Sequence, residues 1–495
     1  MSGTVEIELK FLVPAASRAA LAAELDGRGN ARRAQLTADY LDTPDLRLAR
    51  AGLAWRVRRE AGRWVQALKC ARGDALERFE HEVVRPDATP DAAAHADTAP
   101  GRQLIDLLDA ARADGLEAGV RFRSQVRRLE RRVRTRGAVV DIALDEGRLL
   151  ASGAVLRLRE VEFELVSGSP VAMLALVERW RQRFGLILDP RNKAERGFAL
   201  AAGWPDAPLR KAASPSYDKR AGAGEAFSAV LDECLAHLMR SAIGLADGDA
   251  AQAGEHVHQL RVAIRRLRSA LRAFEGWVAA PPAELVDGLR VLFAALGQAR
   301  DRDVLGSGVA AELARAGAPP LPLPGSQDAV DPAALVRAAD TQRLLLGWVT
   351  WRAGLPAEAE TETEDALRRL ARRRLRRWHE RMAAGGHAFD ELDDAALHAL
   401  RKRVKRQRYA IDFLAPLLPR QSTARHVQAL SAAQSMLGEI HDLIVARDRY
   451  QALVGSAPAA WFAVGWLTAR IATARAGARD ELARLAALLP LGRRG

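Results

Sequence analysis

Val5-Glu6-Ile7-Glu8-Leu9-Lys10-Phe11 places two carboxylates and an ammonium at every second position, with apolar residues between them. Period-two alternation reads as a strand with Glu6, Glu8 and Lys10 on one face. Paired carboxylates suit a hard cation such as Mg²⁺ or Mn²⁺. The pattern returns with both signs of charge. Arg56 and Arg58 share a face, Lys69 ends a strand, and Arg78, Glu80 and Glu82 alternate. Arg128, Glu130 and Arg132 follow, then Asp141 and Asp145, then Glu160, Glu162 and Glu164. Clustered Arg and Lys suit phosphate oxygens. Simple solvation of these faces would be served by an open sheet packed on helices. An eight-stranded closed antiparallel barrel with flanking helices could instead turn them inward. Charges enclosed on that scale must balance one another or bind ions. Both kinds in one tunnel describe a site for a metal-bound phosphate chain.

The chain of 495 residues has room for two to four domains. Its formal charge of +13 favours an anionic partner: nucleic acid, an acidic membrane surface or a phosphate polymer. Cys70 and Cys234 are far apart, without metal or disulfide spacing, which suits a reducing compartment. No charged-then-apolar leader pattern opens the sequence. The most apolar tract, Ala457 to Ala469, is too short for a bilayer and is expected to form a buried helix. These readings exclude a membrane-spanning segment and point to the cytoplasm, and no membrane partner is expected. Proline-marked residues 205–221 read as a linker between an alternating region, 1–204, and a helical one, 222–495. A multidomain α+β chain is expected.

In the second region, His258, Arg261, Arg265, Arg268 and Arg272 recur at spacings of 3, 4, 3 and 4, beside an apolar stripe. His398, Arg401, Lys405 and Arg408 repeat the arrangement, widened by Lys402 and Arg406. Leu296-Gly297 precedes Asp301 as Leu437-Gly438 precedes Asp442. The offsets, 140 residues from His258 to His398 and 141 from Leu296 to Leu437, indicate a duplication into two helical bundles, about 222–315 and 333–490. Arg368 to Arg377 adds a basic run. Two symmetric basic faces favour an anion over bare solvent. Aromatics are only 5% of the chain and those here read as core, so nucleic acid is disfavoured against a backbone-only polyanion. Neither His258 nor His398 has a second His or Cys at metal spacing.

Glu6-Ile7-Glu8-Leu9-Lys10 resembles the ExExK signature of the CYTH family, the triphosphate tunnel metalloenzymes. Tyr40-Leu41-Asp42-Thr43, Arg56-Val57-Arg58, Lys69, Arg78-Phe79-Glu80-His81-Glu82, Asp145, Glu160-Val161-Glu162-Phe163-Glu164 and Lys193-Ala194-Glu195-Arg196-Gly197 follow in the family's order. The resemblance implies a tunnel that hydrolyses or rearranges triphosphates with divalent metal. It implies metal-facing Glu6, Glu8, Asp145, Glu160, Glu162 and Glu164. It implies that Lys10, Arg56, Arg58, Lys69, Arg78, Arg128 and Lys193 hold phosphate, with Glu80 and Glu82 positioning metal, water or bases. The catalytic set would be Glu6, Glu8, Lys10, Arg56, Arg58, Lys69, Glu80, Glu82, Asp145 and Glu162. Ala67 stands where the family often has Thr, and Arg157 and Arg159 where neutral residues are usual.

Val257-His258-Gln259-Leu260-Arg261 with Arg265, Arg266, Arg268 and Arg272, and Leu397-His398-Ala399-Leu400-Arg401-Lys402 with Lys405 and Arg408, resemble the CHAD domain. That family implies inorganic polyphosphate binding in one basic groove. Together the resemblances imply a Mg²⁺- or Mn²⁺-dependent inorganic triphosphatase with a polyphosphate-binding half, in the cytoplasm and on polyphosphate granules. A nucleoside or thiamine triphosphate substrate, ATP cyclisation and a non-catalytic scaffold stay open as alternatives.

Overall fold

The computed structural model describes residues 4–491 except 28, 61, 72–75, 205–208, 305–307, 323–330 and 357–363, and not the side chains of 4, 5, 71, 298–304, 364 and 365. Parts of the expected linker and of the second proline-rich loop therefore lie outside the described residues.

Among the described residues of the first 190 there are nine strands: β1 Thr4–Leu12, β2 Arg32–Asp42, β3 Leu53–Glu60, β4 Arg63–Ala71, β5 Glu77–Arg85, β6 Gly119–Thr135, β7 Ala138–Ala151, β8 Ala154–Gly168 and β9 Ile187–Leu188. The order β5-β4-β3-β2-β6-β7-β8-β1 closes through β1–β5 pairing, giving an eight-stranded antiparallel barrel. β9 is a short addition beside β1. Helices α1 Arg18–Asp26, α2 Arg47–Arg50, α3 Ala99–Ala113, α4 Pro170–Phe184 and α5 Lys193–Ala201 accompany it.

The outward apolar faces are covered as alternation requires. Trp55, Val57 and Leu68 pack with Leu104 and Leu108 of α3. Phe163 meets Phe11 and Trp180 of α4 edge-on, at ring separations of 5.9 and 5.8 Å. The inward rows are charged over part of their length only. Beyond Arg128, Asp145 and Glu160 they become apolar, and Tyr40, Phe122, Val126, Leu149 and Leu158 pack on Ala194 and Phe198 of α5.

Helix α5 starts at a capping box, Asn192 with Glu195, which sets Lys193 at its first position. Gly197 makes the close approach to the barrel possible, since a Cβ there would lie 2.2 Å from Phe122. Gly197→Ala is expected to cost about 1–3 kcal/mol through overpacking, measured as a lower urea midpoint with unchanged slope.

The later helices are α6 Ala223–Asp247, α7 Ala253–Ala273, α8 Ala283–Val304, α9 Ala310–Arg315, α10 Pro332–Arg337, α11 Ala339–Ala353, α12 Glu364–His387, α13 Asp394–Leu414, α14 Arg420–Leu453 and α15 Ala460–Ala486. No helix among the described residues is long and apolar enough to cross a membrane. The apolar tract expected to be a buried helix opens α15, but buries one side only. Ala460, Ala463 and Leu467 are inside, while Trp461 and Phe462 face solvent, because successive positions turn away from the core.

By its contacts the chain forms two compact units. One is Met1–Lys211 with Leu235–Leu260 and Pro332–Leu355; the other is Ala212–Cys234, Arg261–Asp331 and Pro356–Gly495. Within the first unit, Gln342 Oε1 accepts from the Leu188 amide at 2.8 Å and Asp247 pairs with Arg191 at 2.6 Å. Arg240 reaches Glu195 at 3.1 Å. A chain cut after residue 221 loses these partners. Its melting midpoint is expected to fall by roughly 5–10 °C relative to the barrel transition of the full chain, read by calorimetry.

Candidate active site and a second basic site

Register brings the inward charges into a ring. Arg128 on β6 stands opposite Asp145 on β7, which stands opposite Glu160 on β8. Lys10 faces Glu162 and Glu8 faces Glu164. Lys69 faces Glu80, and Tyr40 faces Arg56.

One focus is Asp145, Glu160 and Glu162, whose nearest oxygens lie within 4.8 Å of one another. Lys193 Nζ sits among them, 2.8 Å from Asp145, 2.5 Å from Glu160 and 2.8 Å from Glu162. Arg128 grips Asp145 through Nε at 2.8 Å and Nη2 at 2.7 Å, and reaches Glu162 at 2.5 Å. Three oxygen donors around a cationic centre fit a hard divalent ion, and an ammonium already occupies the position a cation would take. Glu6, Glu8 and Glu164, expected in the same ligand set, lie outside this group. Arg78 and Lys10 hold Glu8 instead, and Glu6 shares a hydrogen bond with Glu80.

The second focus is basic. Lys69 lies 2.6 Å from Glu80 and 3.1 Å from Glu6. Arg56 reaches Glu80 at 3.3 Å and Arg58 reaches Glu82 at 3.1 Å. The Nε atoms of Arg56 and Arg58 are buried without a hydrogen-bond partner among the described residues. Buried donors of this kind are costly until an acceptor arrives.

Protonation divides the carboxylates. Burial raises Glu6, and the hydrogen bond to Glu80 adds to it, so Glu6 reaches about 8. Burial would raise Glu80 too, but Lys69, that same hydrogen bond and Arg56 hold it below the usual range. The pair therefore shares one proton at neutral pH. Burial is likewise outweighed at Glu8, where Lys10 and Arg78 bring it to about 2, and at Glu162, held low by Lys193, Lys10 and Arg128. The interior thus offers an ionised Glu162 at one focus and a proton-bearing pair at the other.

Two further contributors lie within the ordered motifs, which by themselves assign them no role. Arg196 is buried and donates to Glu160 at 2.8 Å; it lies three residues after Lys193, on the same side of α5. Tyr40 puts its hydroxyl 3.3 Å from Arg56, with its ring stacked on Phe122 at 4.2 Å.

In the second unit the duplicated motif has a steric explanation. The Arg261 guanidinium crosses Gly297, where a Cβ would stand 2.8 Å away, and donates to the Phe293 carbonyl at 3.0 Å. Arg401 likewise passes Gly438, with Asp442 at 3.8 Å. The Asp301 side chain lies outside the described residues.

Burial lowers Arg401 and Arg406, and the nearby charges of Arg265 and Arg272, respectively, lower them further. Arg265 Nε, Arg401 Nε and His398 Nδ1 are buried without a hydrogen-bond partner among the described residues. His398 lies beside His441, ring centres 4.6 Å apart. His441 carried no sequence signal, since nothing in the linear pattern brings α14 to α13. Lys402 is exposed and Arg268 half-buried. Arg408 donates to Gln434 at 2.8 Å. His258, half-buried on α7, falls in the first unit. Arg266, expected on the basic face, is instead buried and paired with Asp412 at 2.7 Å. One residue past Arg265, it has turned about 100° toward the core.

Residues 4–198 match the CYTH domain and residues 229–451 the CHAD domain. An uncharacterized protein of Mycobacterium tuberculosis is 29% identical over 231 residues, an alignment spanning 40% of this chain and 40% of that protein. The chain thus spans less than half the length of the curated relatives it matches. A CHAD domain structure from the plant Ricinus communis is 30% identical, covering 58% of this chain and 99% of that one, TM-score 0.45. A candidate adenylyl cyclase from Hippeastrum, which reveals a dominant triphosphatase activity, is 19% identical, covering 40% of this chain and 96% of that one, TM-score 0.29.

Proposed function

We propose, from the premise that this chain is a CYTH domain followed by a CHAD domain, that it hydrolyses inorganic triphosphate to diphosphate and phosphate and binds inorganic polyphosphate through its helical half. The observation that carries the reading is the enclosed interior, where carboxylates at chelating distance stand beside buried guanidiniums whose Nε donors have no acceptor among the described residues. Lys10, Arg56, Arg58, Lys69, Arg78 and Arg128 hold phosphate oxygens and orient the chain. Positioning and charge neutralisation supply most of phosphoryl-transfer catalysis.

Asp145, Glu160 and Glu162 would hold the Mg²⁺ or Mn²⁺, which neutralises phosphate charge and acidifies a bound water. Lys193 balances the charge of those carboxylates. Glu6 and Glu80 hold one proton near the basic focus, available to a leaving phosphate. The inorganic chain is favoured over a nucleotide because Tyr40, an aromatic of the inward face, is stacked on Phe122 and buried, leaving no exposed ring face for a base.

Phosphate release from tripolyphosphate, ATP and thiamine triphosphate with each metal tests the substrate. Faster turnover of ATP or thiamine triphosphate than of tripolyphosphate would overturn the inorganic assignment. For the helical half, Arg265→Gln/Arg401→Gln in the full chain is expected to weaken polyphosphate binding and flatten its salt dependence. Unchanged affinity would remove that role. Association with polyphosphate granules in the cytoplasm rests on the same binding.

A further inference from the structure

The barrel unit carries a cleft of about 1510 Å³ whose walls include none of the chelating or phosphate-facing residues of the tunnel. Its floor is the outer face of β6, β7 and β8. Across these strands the register sets Gln125, Arg148 and Arg157 in one row and Arg127, Glu146 and Arg159 in the next. Adjacent strands are about 4.8 Å apart, so Arg148 and Arg157 are like charges directly opposite each other, an arrangement that costs stability without a counter-ion.

The acids of the cleft are already engaged. Glu146 is held by Arg18 at 2.9 Å and Asp247 by Arg191 at 2.6 Å, while Asp249 accepts from the Ala251 amide at 2.9 Å. Among the described residues, Arg127 and Arg157 have no carboxylate within ion-pair distance, and Arg148 donates to the neutral Gln125. Arg157 and Arg159 are the positions where neutral residues were anticipated from the family pattern. The tunnel gives them no work, because they point away from it. An apolar flank completes the cleft: Trp204 is 49% exposed and Val155 58%.

We propose that this cleft is a second binding site of the barrel unit for a short phosphate chain, free or carried by a nucleoside. Arg127, Arg148 and Arg157 pair with phosphate oxygens, and Trp204 offers a face on which a base can stack. The site is independent of the hydrolysis proposed for the tunnel.

Arginine-selective modification of the full chain with phenylglyoxal, mapped by peptide mass spectrometry, reads the site without turnover. With no divalent metal and at matched ionic strength, tripolyphosphate or ATP is expected to slow modification of Arg148 and Arg157 about tenfold, the effect of one or two charge-assisted pairs. Protection by neither overturns the proposal. Arg148→Gln/Arg157→Gln, both exposed and outside the tunnel, is expected to lower the calorimetric stoichiometry for the protecting ligand by one site while leaving kcat unchanged. Unchanged stoichiometry also overturns it. Trp204→Ala separates the sources. Weaker protection by ATP alone assigns a nucleoside-borne chain, and equal protection by both ligands assigns the free one.

Discussion

Glu162→Gln is expected to lower phosphate release from tripolyphosphate by roughly 10²- to 10³-fold, the scale of removing one preorganised charge from a buried site. Glu162 Oε1 lies 2.8 Å from Lys193 and 3.4 Å from Lys10, and Oε2 lies 2.5 Å from Arg128. Glutamine keeps the shape and removes the charge. The chelating group then loses an anionic ligand, and three cations lose a common partner. Breaking a buried pair from one side costs about 3–5 kcal/mol, so the thermal midpoint should fall as well. Glu82→Gln is the control, because Glu82 is 38% exposed and lies at the edge of the same interior. Its stability cost should stay within about 1 kcal/mol, as for exposed pairs. Measuring kcat at a temperature where both variants are folded separates chemistry from unfolding. Full turnover by Glu162→Gln would mean that the reaction does not occur in the tunnel.

Polyphosphate binding is expected to weaken as pH rises from 7 to 9, by up to about tenfold per pH unit, the limit for one linked proton. Burial lowers Lys405, and Arg401 and Arg265 lower it further, to about 7. Burial, Arg401, His398 and both lysines similarly bring His441 to about 4. An arriving polyanion favours the protonated forms, so binding takes up protons and is strongest below the free pKa of Lys405.

The same shift predicts the stability of the free protein. The folded pKa lies below the unfolded 10.5, so between about 7 and 10.5 the unfolded chain binds more protons. Stability of the free protein should therefore rise with pH across that window, opposite to the trend in affinity. Calorimetric titration in buffers of different ionisation enthalpy reads the proton uptake, and thermal melts read the stability. Lys405→Gln should flatten both curves. Affinity independent of pH between 7 and 9 in the unaltered protein would show that Lys405 does not face the ligand.

Much of the barrel is legible in the linear pattern because strand periodicity is local. The inward position of Glu6, Arg56, Lys69, Asp145 or Glu162 follows from parity alone once a strand is recognised. The ordered motifs from Glu6 to Gly197 point to the CYTH domain, and the two His-Arg-Arg stripes to the CHAD domain. Parity cannot say which inward carboxylates meet. That depends on register between β1, β6, β7 and β8 and on α5 entering with Lys193. Asp145, Glu160 and Glu162 therefore emerge as one group only from the tertiary structure, while Glu6 turns to Glu80.

Helical stripes are less decisive, because one step along α7 separates a half-buried Arg265 from a buried Arg266. Residue types and their periods, which are properties of neighbours along the chain, determined the barrel, the two domains and the kinds of charge. Proton sharing, the histidine pair on α13 and α14, and the arginine rows of the outer cleft were decided by packing. Each depends on distances between residues remote in sequence, and the free energy of a buried charge is set by those distances.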